Sequence, residues 1–335
     1  MQQEMLINSF SRKNVLITGG TGSFGKAIAN FLLNNYKPKK IIVFSRDELK
    51  QFEMSNQENL KKNIKKMRFF IGDIRDHRRL NYAMDGVDYV IHAAALKQVP
   101  TAEYNPGEFI KTNIIGSQNV IDAAILSGVK KVISLSTDKA VAPINLYGAT
   151  KLCSDKIFTS ANNIVGSRKI IFSVVRYGNV MFSRGSVIPY FKKILALNKP
   201  LPITDARMTR FNITIDESVR LVIFALKNAM GSEIFIPKIP SYRINDLVMA
   251  LDQNCKTKII GKRAGEKIHE ELITSSDSYS TFDMEKYFVI VNQANKKVFK
   301  YYQNKYNLVP EGFSYNSGQN KDFLTLEKLK SMLKE

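Results

Sequence analysis

The sequence predicts an α/β chain, with a doubly wound parallel sheet over its first half and a smaller α/β unit over its second. Three observations carry this. Short β-rich runs alternate with helix-length stretches as far as residue 176, a glycine-rich loop follows the first run at once, and after Gly178 the alternation lapses among Pro189, Pro200, Pro202, Pro237 and Pro240. Such alternation means parallel βαβ units. The length of 335 residues allows one large domain or two modest ones at about 150 residues each.

Taken in order, Asn14 to Thr18, Lys40 to Ser45, Met67 to Gly72, Tyr89 to Ala93 and Lys131 to Ser136 read as strands. Gly25 to Asn35 and Asn113 to Leu126 are apolar at helical spacing and read as crossovers. A helix beginning near Tyr147 leads to a further strand, Ile170 to Arg176. The expected division is a nucleotide-binding unit over 12–178, a mainly substrate-binding unit over 179–280 with some return of chain to the sheet, and a C-terminal extension over 281–335.

Composition excludes several classes. Hydrophobic residues at 44% and charged residues at 24% rule out wholesale disorder and collagen-like or coiled-coil rods. With 50 Lys+Arg against 30 Asp+Glu the formal charge is +20, which favours anionic partners without choosing among nucleotides, phosphosugars, nucleic acid or a membrane surface. The runs Lys61, Lys62, Lys65, Lys66 and Lys296, Lys297, Lys300 read as solvated helix faces. Cys153 and Cys255 are far apart, with no Cys/His cluster of metal-ligand spacing, which suits a reducing cytoplasm. Residues 1–13 lack the apolar run of about 7–15 residues of a signal peptide, and no stretch nears the roughly 20 apolar residues of a spanning helix, so a cytoplasmic protein without stable membrane insertion is expected.

Directly after the first strand, Gly19-Gly20-Thr21-Gly22-Ser23-Phe24-Gly25 has G-x-x-G-x-x-G spacing and opens a helix. Such a loop lets backbone N–H groups approach a pyrophosphate at the helix N-terminus, and predicts a Rossmann-like dinucleotide site. An NAD site places an acid on the ribose 2′-hydroxyl about 20 residues on. Ser45 and Arg46 stand there instead, with Lys50 one turn further, and a guanidinium suits a 2′-phosphate, so NADP is expected. Pairing of Arg46 with Asp47 or Glu48 is the plain alternative, and Asp47 remains the acceptor that an NAD site would use. Asp73, after the third strand, is a candidate acceptor for the adenine amino group or a turn former. His92 reads as buried against the sheet.

The fifth strand runs into Ser136-Thr137-Asp138-Lys139-Ala140, and ten residues after Thr137 comes Tyr147-Gly148-Ala149-Thr150-Lys151. The Y-x-x-x-K spacing stacks Tyr and Lys one helical turn apart, so that the ammonium stabilises a phenolate. Half ionisation at pH 7 means lowering the tyrosine pKa by about 3 units, some 4 kcal/mol. One cation at about 4 Å and an effective dielectric of about 20 supplies roughly that.

At these residues the sequence resembles the extended short-chain dehydrogenase/reductase superfamily. Within it the chain is most similar to the inverting UDP-N-acetylglucosamine 4,6-dehydratases of pseudaminic acid synthesis in flagellin glycosylation. The resemblance covers about residues 12–275 through ITGGTGSFGK, FIGDIRD, LSTDKA, PINLYGATK, RYGNV, PITDARMTRF and RAGEKIHE, and thins beyond Tyr279. It implies C4 oxidation by hydride transfer to tightly held NADP, loss of water across C5 and C6, hydride return to C6 and reprotonation of C5 from the opposite face. Carried over, Tyr147 is the base for the 4-hydroxyl and Lys151 holds the nicotinamide ribose and lowers the tyrosine pKa. Thr137 bonds the 4-oxygen, Asp138 protonates the departing 6-hydroxyl, and Lys139 takes the C5 proton. A neutral Lys base and a protonated Asp acid each need a shift of about 3 units, which a desolvated site can supply.

The resemblance also implies cofactor contacts from Ile74, Ala93 and Val180. Lys97 and Asn179 match positions lining the sugar or its diphosphate. Arg184, Arg207 and Arg263 are candidate phosphate ligands, and Glu266 a candidate for the uridine ribose. A homo-oligomer is the family habit. Gln98, Val180-Met181-Phe182 and Asn212 depart from the dehydratase pattern; Gln98 and Met181 are similar to capsule-synthesis dehydratases, and Phe182 threatens to narrow the sugar pocket. A nucleotide-sugar 4-epimerase on the same fold would use Tyr147 and Thr137 without needing Asp138 and Lys139. A regulatory NADP-binding protein, with nucleic-acid affinity that falls steeply with salt, is the reading from another class; no basic stripe interleaved with aromatic residues supports nucleic-acid binding.

Overall fold

Apolar runs with no polar face must be covered on both sides, which a parallel sheet between helices achieves. The computed structural model describes residues 10–183 and 185–334. In it β1 (Asn14–Thr18), β2 (Lys40–Ser45), β3 (Met67–Ile71), β4 (Tyr89–His92), β5 (Lys131–Thr137) and β6 (Ile171–Tyr177) lie within one residue of the expected strands. Beyond Gly178 follow β7 (Asn179–Val180), β8 (Leu201–Ile203), β9 (Thr209–Ile213), β10 (Glu233–Pro237), β11 (Ser241–Arg243) and β12 (Thr257–Ile259). Then come β13 (Glu271–Ile273), β14 (Thr281–Asp283), β15 (Tyr287–Val291), β16 (Asn307–Leu308) and β17 (Tyr315–Asn316). The main sheet has the order β3-β2-β1-β4-β5-β6-β10-β15-β14-β16. It is parallel as far as β10 and antiparallel beyond.

The helices that matter here are α1 (Ser23–Asn35), α2 (Glu48–Ser55), α3 (His77–Met84), α4 (Gly116–Leu126) and α5 (Leu146–Ser160). They are joined by α6 (Val187–Ala196), α7 (Ile215–Asn228), α8 (Ile244–Leu251) and α9 (Leu326–Lys334). The crossover expected from Asn113 begins earlier, as Pro106–Ile110 and a π turn at Lys111–Ile115 lead into α4. Strand order reverses between β1 and β4. Crossovers leave that point in opposite directions, which opens a crevice at the C-terminal ends of the strands.

The described part of the expected extension, residues 281–334, is built into the molecule. All five residues of β10 are buried, and so apolar a strand cannot be left as a free edge; β15 covers it and β14 covers β15. The chain then reaches a second core, in which Leu329 of α9 is fully buried with Phe191, Leu201, Met208, Tyr242 and Leu247. No helix among the described residues is long and apolar enough to cross a membrane. Leu329→Ala is expected to lower unfolding free energy by about 2–5 kcal/mol, read from the urea midpoint at unchanged slope.

Candidate active site

The crevice is a cavity of about 1300 Å³ running from the glycine loop to Arg263 and Glu270. At its first end Gly19 has φ +65°, and a Cβ there would stand 2.9 Å from Ala94 Cα, so the loop lies flat against the chain after β4. A Cβ at Gly25 would meet Gly20 O at 2.4 Å. Gly22 caps α1 with no side-chain bond, and the first turn holds no acid. The exposed N–H groups and positive helix end suit a pyrophosphate, and Thr21, Ser23 and Phe24 line the cavity beside them. Ile74, Ala93 and Val180 line it too.

At the end of β2 the Ser45 oxygens accept from Gln51 Nε2. Arg46 is 53% exposed and pairs with Asp73 at 3.7 Å, not with the acids beside it. Lys50 turns back to Asp47, whose carboxylate also caps α2 by accepting from Lys50 N at 2.9 Å. Asp47 is therefore engaged as a helix cap. Asp73 accepts a fork from Arg75 at 2.7 and 2.9 Å. Burial pushes that carboxyl up, but the Arg75 bonds and charge and the Arg46 charge outweigh it and hold it below its ordinary value. His92 is buried as expected, bonded to Thr18 Oγ1 at 2.8 Å, and burial with the Lys151 charge lowers its pKa to about 3.

β5 ends at Thr137, and a single 3₁₀ turn, Asp138–Ala140, follows. Against this turn lies α5, started by Asn145, which accepts from Gly148 N at 2.8 Å. A Cβ on Gly148 would come 2.2 Å from Lys139 O. The Asn145 amide also donates to Gly265 O at 2.8 Å, tying the Arg263–Glu266 turn to the same helix start. Thr137, Lys139, Tyr147 and Lys151 all line the cavity. Asp138 does not: it is fully buried, its Oδ1 accepting from Thr137 Oγ1 at 2.9 Å and Lys139 Nζ at 3.1 Å. The expectation that neighbouring Asp138 and Lys139 both face one sugar is thus corrected, because the turn sends one outward and one inward.

Electrostatics correct two further expectations. Burial would lower the Lys139 pKa, but Asp138 and Glu270 more than offset it and raise it, so in the free protein Lys139 is an ammonium and not the neutral base expected. Burial raises Tyr147 to about 12, aided by Asp138 and opposed by the Lys139 charge and a Thr137 hydrogen bond. The cation acting on Tyr147 here is Lys139; Lys151 donates to Leu135 O at 2.8 Å, and burial lowers its own pKa. Burial, then Glu270, raises the Asp138 pKa against the opposing Lys139 charge and the Thr137 and Lys139 hydrogen bonds.

Among the expected substrate residues, Lys97, Asn179, Arg263 and Glu266 line the cavity. Asn179 accepts from Lys139 Nζ at 3.2 Å. Burial, then the Lys139 charge, lowers the Lys97 pKa. Arg207 is outside the lining, 72% exposed and forked on Asp205, because a surface turn satisfies it locally. Arg184 lies outside the described residues. Phe182 takes φ +57° and its ring packs under Lys192 Nζ at 5.2 Å, so it does not narrow the cavity. Asn212 is buried beside Asn179 in the β7–β9 pairing. Sequence reasoning missed Arg210 and Glu270, which complete the wall opposite Lys139. Both lie inside runs already quoted, PITDARMTRF and RAGEKIHE, but no spacing rule connects them to residue 139.

The polysaccharide biosynthesis protein family matches residues 15–292. The inverting UDP-N-acetylglucosamine 4,6-dehydratase of Campylobacter jejuni is 56% identical over 327 residues, 96% of this chain and 97% of its own. The UDP-glucose 4-epimerase of Rickettsia bellii is 43% identical over 335 residues, 97% of this chain and 96% of its own. The crystal structure of Pen from Bacillus thuringiensis has a TM-score of 0.88 at 40% identity, covering 97% of this chain and 98% of its own. The chain belongs to the polysaccharide biosynthesis protein family, with the extended short-chain dehydrogenase/reductase fold.

Gly148→Ala is expected to cost about 1–3 kcal/mol of stability by overpacking. By displacing the Asp138–Ala140 turn from α5 it is expected to lower kcat by about 10²-fold, a drop read at a temperature where circular dichroism shows the variant folded.

Proposed function

We propose that this chain is a UDP-N-acetylglucosamine 4,6-dehydratase that inverts C5 and works with tightly held NADP. The observation that carries the reading is the turn Asp138–Lys139, which puts an amine in the cavity wall beside Tyr147 and a buried acid behind it. Exchange of configuration at C4 alone needs the tyrosine and threonine; elimination of water needs a further proton acceptor and donor. The Campylobacter relative carries this activity in its name.

When bound, the nicotinamide dinucleotide supplies a hydride acceptor at C4 and a hydride donor at C6. Tyr147 takes the proton of the 4-hydroxyl. From about 12, which already includes the Lys139 charge, half ionisation at pH 7 needs about 7 kcal/mol, more than the roughly 4 kcal/mol of one cation at 4 Å, so Lys151 and the cofactor's positive ring would both have to contribute. Thr137 holds the 4-oxygen. With the ketone formed, Lys139, having given its own proton to solvent in the cavity it lines, takes the C5 proton. Asp138 releases a proton to the departing 6-hydroxyl through the Thr137 hydroxyl that joins it to the cavity. Lys97, Asn179 and Arg263 hold the sugar diphosphate, and Glu266 the uridine ribose. From the family resemblance we assign the product to pseudaminic acid synthesis for flagellin glycosylation, and the enzyme to the cytoplasm as a homo-oligomer.

Engagement of Asp47 as a helix cap, with Arg46 half exposed at the cavity rim, supports NADP. Arg46→Ala is expected to weaken NADP binding by about 10–100-fold, as losing a charge-assisted bond of about 1.5–3 kcal/mol implies, with NAD binding little changed; equal losses for both in titration calorimetry would refute the 2′-phosphate contact. In D₂O with UDP-N-acetylglucosamine, proton NMR is expected to show a 4-keto-6-deoxy sugar with deuterium at inverted C5. Retained configuration at C5 would refute inversion, and conversion only to the 4-epimer would refute dehydration. Asp138→Asn is expected to slow dehydration by about 10²–10⁴-fold, whereas an epimerase would keep turning over.

A further inference from the structure

Glu270 reaches Lys139 from a distant part of the chain. It immediately precedes β13, while Lys139 stands in the turn after β5. Its Oε1 is 3.4 Å from Lys139 Nζ and 3.7 Å from Arg210 Nε of β9, and its side chain is only 4% exposed. Its Oε2 is buried with no hydrogen-bond partner among the described residues. A buried carboxylate with an oxygen unused is costly to maintain, and packing alone would be served as well by an apolar side chain. The group also lines the reaction cavity.

We propose that Glu270 is a positioning residue for the C5 proton step: held by Arg210, it fixes the Lys139 ammonium at the cavity wall and makes loss of that proton the event that limits turnover at low pH. The groups that bear on Lys139 come from every neighbouring element. Asp138 on its own turn and Glu270 favour the charged amine, as does Tyr147 of α5 when ionised; Arg210 disfavours it. Lys97 after β4 and Lys267 before β13 add like charge, and Tyr242 of β11 lies within range. Glu270 itself is pushed up by burial but held below its ordinary value by Lys139, Arg210 and Lys267, so it is the anion of the cluster. The sign follows. An anion beside an amine raises the pH at which the amine becomes a base, so removing it moves the acidic limb of activity down.

This inference rests on the elimination reading above, and two measurements keep the two apart. Glu270→Gln keeps the side chain's size and is expected to move the acidic limb of the kcat profile for UDP-N-acetylglucosamine dehydration down by about 1–3 pH units, the range for one close charge. Arg210→Met removes the opposing cation and is expected to move the limb up. Independently of turnover, the side-chain ammonium signal of Lys139 in ¹⁵N-lysine-labelled free enzyme, identified by its loss in Lys139→Met, is expected to titrate at lower pH in E270Q than in the wild type. Failure of the wild type to dehydrate the sugar would sink the elimination reading but leave this titration as the test of Glu270. Identical titration in folded E270Q, or limbs that move the same way in E270Q and R210M, would overturn the proposal; if E270Q does not fold, an unmoved limb in R210M does so.

Discussion

The site depends on α5 lying directly on the turn that ends β5, which it can do because residue 148 has no side chain: a Cβ there would stand 2.2 Å from Lys139 O. That contact sets Tyr147 and Lys151 beside Thr137 and Lys139. Asn145 extends the same contact outward. Its carbonyl oxygen caps the helix and its amide holds Gly265 O, so the sheet, the helix and the returning substrate loop meet around one helix start. Buried Ser136, Asp155 and Arg176 brace the floor, with Arg176 also donating to Leu272 O beside Glu270.

Burial acts on each titratable group in this wall, and the neighbours decide which groups yield. Tyr147 and Asp138 rise and Lys151 falls because desolvation outweighs what opposes it, the Lys139 charge on the first two and Asp155 on the third. Lys139 and Glu270 go against burial, since Lys139 has two carboxyl groups within 3.4 Å and Glu270 has the charges of Lys139, Arg210 and Lys267. Charge is also layered. Lys26, Lys97, Arg210, Arg263 and Lys267 line the cavity together with the acids Glu266 and Glu270, whereas Asp138 is fully buried behind Lys139. The formal +20 of the chain is thus expressed, at the site, as a cationic rim suited to polyphosphate ligands.

The return of the chain explains how so small a second unit holds its shape. Two-residue β7 pairs with β9, and β11 pairs with β9 on its other side, a sheet too slight to be stable alone. Packing of α9 on α8 and of β17 on β13 adds the missing support from the last fifty residues. Support and site are therefore joined: β13 follows Glu270 directly.

Six strands, the glycine loop, the Tyr147–Lys151 pair and the identity of the Asp138–Lys139 segment were all determined by the sequence itself, because each is a local pattern: period, turn residues, or spacing along one helix. The fate of 281–334 was not legible, since short strands whose partners are remote in sequence, as β10 is from β15, leave no local period. Nor were the outward turn of Phe182 and the isolation of Arg207, which follow from one positive φ and one surface fork. Only the tertiary structure decided that Asp138 lies behind the wall, that Asp47 is spent on a helix cap, and that Glu270 and Arg210 face Lys139. The physical reason is common to all three. Protonation state and reach are set by what stands within about 4 Å in space, and residues 139, 210 and 270 become neighbours only when the chain has closed.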